Sequence, residues 1–147
     1  MSLNKTQTGF TLLEILVAIV VLSLGLLGLA GLQAATLRNN QIAYYRAIAI
    51  QQTYDMADRI RANQAGVKAG NYNNPAATHH ACAPCVSSKE MAEEDFYQWN
   101  NNNARMLPAG IGTVVSGANG SFVVTISWNE NTEAGSTAQQ FVTRIVP

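Results

Sequence analysis

Apolar residues run almost unbroken from Phe10 to Leu37, FTLLEILVAIVVLSLGLLGLAGLQAATL, with no charge between Glu14 and Arg38. Ile15 to Leu37 is about 23 residues, or roughly 35 Å as a helix, enough to cross a hydrocarbon core of about 30 Å. The pattern then changes. From Arg38 to Asn63 there is no Gly and no Pro. Tyr45, Ile48, Ala49, Met56 and Ile60 recur there at helical spacing, while Arg46, Gln51, Asp55, Arg59 and Gln64 fall mostly off that stripe. The spacing predicts one helix from about Thr11 to Asn63, about 80 Å long at 1.5 Å per residue. Asp55 and Arg59 stand four apart, worth a few tenths of a kcal/mol. Gly66 is the predicted stop.

Residues 66–87 read as loop, with turn formers at Gly66, Gly70, Asn71, Asn73-Asn74-Pro75 and Pro84. Ser87 followed by Glu90 fits a capping box. It opens a predicted helix from Ser88 to about Asn100, with Ala92, Phe96 and Trp99 on one face and Asn100–Asn103 ending it. Three strands are predicted at Gly112–Ser116, Ser121–Trp128 and Gln140–Val146, the first two joined as a hairpin by Gly117-Ala118-Asn119-Gly120. In the second strand Phe122, Val124, Ile126 and Trp128 alternate with Val123, Thr125 and Ser127, so one face is strongly apolar. That face is the expected cover for the stripe from Tyr45 to Ile60. The expected class is α+β: a long N-terminal helix packed against a C-terminal antiparallel sheet.

Composition sharpens this picture. Only 12% of the 147 residues are charged, against about 25% in an average soluble domain. The apolar share is ordinary at 48% but concentrated in the N-terminal third. A membrane element joined to a polar domain is implied. Nine basic and nine acidic side chains cancel, and the basic residues past the anchor are widely spaced, so no nucleic-acid partner is expected. No Ser-His-Asp order, Gly-rich phosphate loop or other paired-acid site marks an enzyme. Glu93, Glu94 and Asp95 read as an exposed helical run. No cofactor is expected.

Glu14 is the anomaly. A carboxylate in a membrane segment costs several kcal/mol unless it is paired or near an interface, and such a residue is by default functional. Leu12, Leu13, Ile15, Leu16 and Val17 offer it no partner. Cleavage after Gly9 would supply one, a new α-amine on Phe10 that could neutralise a neighbouring subunit's Glu14. A plain membrane anchor explains the length but not Glu14. A secretory signal would be cut after the apolar region, near Ala30-Gly31 or Ala34-Ala35, and has a shorter apolar core. Gly25, Gly28 and Gly31 allow either close helix packing or partial unwinding of the segment.

Gly9-Phe10-Thr11-Leu12-Leu13-Glu14, after a short polar leader and before a long apolar run, resembles the class III signal of type IV pilins and pseudopilins. The resemblance implies a leader over residues 1–9, cleavage by a prepilin peptidase between Gly9 and Phe10, and N-methylation of Phe10. It implies an anchor and filament-core helix over 10–37, with Glu14 setting subunit register, and a periplasmic pilin domain over 38–147. Met56-Ala57-Asp58-Arg59-Ile60-Arg61-Ala62-Asn63, the run from Gly25 to Gln33, and Asp95-Phe96-Tyr97-Gln98-Trp99 are similar to PilV-like minor pilins. That group implies a low-abundance subunit in the inner membrane and the pilus that helps initiate assembly. Its implied partners are other minor pilins, the major pilin and a tip adhesin. A minor pseudopilin of type II secretion and a DNA-uptake pilin are the alternatives.

His79-His80-Ala81-Cys82-Ala83-Pro84-Cys85 is the remaining constellation. Cys82 and Cys85 fit a small disulfide in an oxidising periplasm, worth roughly 2 kcal/mol. A Cys-x-x-Cys redox motif would need a βαβ setting, which is missing here. Zinc would need adjacent histidines to act as joint ligands, an awkward arrangement, so no metal is assigned. Reduced thiols are the last alternative.

Overall fold

The computed structural model describes residues 9–81, 85–130 and 138–147. They form α1 (Leu12–Ala62), α2 (Gln64–Lys68), α3 (Ser88–Met106), β1 (Ile111–Ser116), β2 (Phe122–Trp128) and β3 (Gln139–Ile145). The chain divides into two compact units, Met1–Gln41 and Ile42–Pro147.

In the first unit, every described residue from Gly9 to Gln41 is exposed. α1 is the one helix among the described residues long and apolar enough to cross a membrane. A helix that is apolar all round needs lipid or other helices to cover it. Its hydroxyls are satisfied internally, Ser23 donating to the Ile19 carbonyl at 2.7 Å and Thr36 to the Leu32 carbonyl at 2.9 Å.

The second unit is the predicted α+β core. Strand order is β1-β2-β3, both pairs antiparallel, with Val114 opposite Val124 and Ile126 opposite Phe141. Ile48, Ala49, Met56, Ala57 and Ile60 of α1 share one buried cluster with Ala92, Phe96 and Trp99 of α3. Phe122, Val124, Ile126 and Trp128 of β2 complete it, which is the alternation expected of that strand. The Trp99 indole N–H donates to the Gln52 carbonyl at 2.8 Å, tying α3 to α1.

α1 ends at Ala62, as expected of a helix ending near Asn63, but Gly66 is not its stop and two further boundaries differ from the expectation. Asn63 leaves the helical path. Its side chain accepts from the Gly66 N–H at 3.0 Å and caps α2, and its amide donates to the Ser88 carbonyl at 2.8 Å. Residues 64–68 are therefore helix. α3 runs on through Asn100–Asn103 to Met106, where an end was expected. The Asn100 side chain bonds to both backbone groups of Gly112, so a tertiary contact overrides poor helix propensity. Tyr72, within the stretch read as loop, is fully buried and meets Phe122 edge-on at 6.4 Å.

Candidate functional site

The candidate site in the first unit is built on the start of α1. Gly9 and Phe10 are non-helical and exposed. Thr11 caps the helix: its hydroxyl accepts from the Glu14 N–H at 3.3 Å, and its carbonyl from the same N–H at 3.1 Å. Thr11-Leu12-Leu13-Glu14 is thus a helix-start sequence as well as a charge anomaly, with the cap bond made by the Thr11 side chain and the Glu14 backbone N–H. Glu14 stands in the first turn, where the helix dipole favours an anion. Phe10, Glu14, Ile15, Ala18, Ile19 and Leu22 line one shallow groove. The arrangement is an apolar helix face with a single carboxylate at its N-terminal end. It offers a cationic amine one counter-charge and a neighbouring helix an apolar seat. Gly25, Gly28 and Gly31 meet nothing within 4 Å, so no packing within the chain requires them.

The second unit holds polar groups that sequence reasoning missed. Glu93, Glu94 and Asp95 are not an exposed run: Glu94 is buried and the other two are largely covered. The side chains that cover them come from distant parts of the chain. The His79 ring nitrogen Nδ1 lies 3.0 Å from Glu94, and His80 Nε2 lies 2.6 Å from Glu93. The His80 backbone N–H donates to Glu94 at 2.6 Å. Arg59 reaches Asp55 at 3.0 Å and Asp95 at 3.2 Å, so the predicted i, i+4 pair exists and extends to α3. The Tyr72 hydroxyl donates to Asp95 at 2.6 Å. Burial first, and then the Asp95 bond, push the Tyr72 phenol above its ordinary value. The network fastens the segment before α3 to α3 and to α1. Its N-terminal end carries the predicted capping box, with both Ser87–Glu90 bonds present.

Burial alone would raise the Glu94 carboxyl, but bonds from Gln98, the His80 N–H and His79 outweigh it and hold the group below its ordinary 4.5. A depressed carboxylate contributes stability that is present above its unfolded value and lost as pH falls through the folded one. Thermal melts below about pH 4.5 are therefore expected to fall more steeply for the native chain than for Glu94→Gln. Equal slopes would remove Glu94 as an acid-labile clasp.

Cys82 lies outside the described residues, and Cys85 is described and is not a free thiol. Among the described residues, no group of three His, Cys, Asp or Glu side chains is placed to hold a metal.

Residues 4–30 match the family model of the prokaryotic N-terminal methylation motif. No curated protein and no solved structure matches the chain significantly. The motif is the class III prepilin signal, and it supports a type IV pilin-like protein of a pilus or pseudopilus. The family that bears it is structural, and the motif implies processing by prepilin peptidase and assembly with other pilins. The long apolar helix fits a membrane-anchored subunit of that kind.

Proposed function

We propose that the chain is a minor pilin that helps initiate assembly of a type IV pilus, in a tip complex with other minor pilins, the major pilin and an adhesin. The observation that carries this reading is the start of α1. A Gly-Phe junction precedes a capped helix whose only early charge is Glu14 and whose exposed apolar length suffices to span a bilayer. In this reading residues 1–9 are removed on the cytoplasmic side, between Gly9 and Phe10. Phe10 is then N-methylated, residues 10–37 anchor in the inner membrane, and residues 38–147 face the periplasm. The stretch Met56–Asn63, similar to PilV-like pilins, favours a pilus over a pseudopilus. Cys82 and Cys85 form a disulfide ahead of the α3 cap, worth roughly 2 kcal/mol.

Intact mass and N-terminal sequencing of the chain from cells that contain the peptidase test the pathway. The expected product begins at methylated Phe10 and co-purifies with sheared pili. A start beyond Ala30, or an uncut chain, would overturn the reading. A correctly cut chain that co-purifies only with a secretion pseudopilus would move it to that system.

A further inference from the structure

The two edges of the sheet are treated differently. β1 is closed on its outer side. The Gly112 N–H donates to Asn100 at 2.7 Å, and the Gly112 carbonyl accepts from the same side chain at 3.2 Å. The Val114 carbonyl accepts from the Asn74 N–H at 2.8 Å, and the Ser116 N–H donates to Asn73 at 3.0 Å. Among the described residues, β3 makes its ladder to β2 and no equivalent bonds on its other side. Proteins ordinarily blunt such an edge with Pro, bulges, cover or several charges. β3, QQFVTRI, has no Pro and no Gly, keeps an unbroken register and carries one charge, Arg144.

A groove of about 80 Å³ runs beside this edge, lined by Ile50, Tyr54, Ala57 and Arg61 of α1 and by Phe141 and Ile145 of β3. Tyr54 is more than half exposed beside it, and Val142 is more than half exposed on the opposite face of β3, the face that carries Arg144. Arg144 is exposed and has no acidic partner among the described residues. We propose that the outer edge of β3 is a docking site for an extended strand of a different polypeptide, apolar at alternate positions and bearing a carboxylate for Arg144. Main-chain bonds to the open edge supply affinity, while alternate side chains entering the groove supply selectivity. A second copy of this chain is the poorer occupant, since its β3 offers Arg144 no counter-charge. The proposal goes beyond the pilin reading and does not require it.

The test uses the full chain in detergent micelles and a labelled synthetic peptide of alternating Val and Thr with a central Glu. Fluorescence anisotropy reads binding, and hydrogen exchange of the β3 amides reads its place. Saturable binding that protects β3 is expected. Arg144→Glu should weaken it roughly tenfold and should bind a central-Lys peptide better than the native chain does. The reversed preference shows that the variant is folded. No binding, binding indifferent to Arg144→Glu, protection elsewhere than β3, or self-association through β3 would each overturn the proposal.

Discussion

Replacing Gly112 by valine will destabilise the second unit by about 3 kcal/mol, the upper end for overpacking a core. A Cβ at Gly112 would overlap the six-membered ring of Trp99 and come within 2.8 Å of the Asn103 amide. Neither neighbour can yield cheaply. Trp99 is fully buried, and its indole N–H is held by the Gln52 carbonyl. Asn103 is fully buried as well. Gly112 also holds Asn100 through both its backbone groups, so displacing β1 loosens the end of α3. In a domain of this size the expected fall in Tm is at least about 10 °C by circular dichroism. Gly28→Ala is the control, because a Cβ there meets nothing within 4 Å. It should leave the melt of the second unit unchanged. A Gly112→Val melt equal to the native one would mean that Trp99 does not pack on β1 as described.

What the sequence revealed and what it hid divide by the range of the interactions. The start of α1 was legible because its cost is local: one carboxylate ahead of a long uncharged run is anomalous wherever the rest of the chain goes. β2 was legible because alternation of Phe122, Val124, Ile126 and Trp128 carries its own period. The capping box at Ser87 and Glu90 spans three residues and survived intact. Glu93, Glu94 and Asp95 were misread because their partners are remote. Glu93 and Glu94 meet His80 and His79, and Asp95 meets Arg59 and Tyr72, pairings that no periodicity encodes. Asn100–Asn103 looked like a helix end because Asn favours caps and turns. The Asn100 bonds to Gly112 decided otherwise. Asn100, which resembles loop chemistry, helps close the β1 edge.

Glu14→Ala will leave membrane insertion intact and cut incorporation into filaments at least tenfold, read as the ratio of subunit in sheared pili to subunit in membranes by immunoblot. Insertion is not threatened, because removing a carboxylate removes a desolvation cost. The helix start is not threatened either: the cap on Thr11 uses the backbone N–H of Glu14, which alanine retains. In the proposed pairing, what alanine lacks is the counter-charge for the Phe10 amine of a neighbouring subunit. Two unit charges about 4 Å apart attract by about 4 kcal/mol at an effective dielectric of about 20. Desolvation offsets part of that, and a residual of about 1.4 kcal/mol already makes a tenfold difference. Glu14→Gln separates charge from shape. It keeps the size and the hydrogen-bonding oxygen, so a defect as deep as that of alanine assigns the role to charge. Normal incorporation of Glu14→Ala would exclude the pairing and leave Glu14 with no assembly role beyond its place in the first turn of the helix.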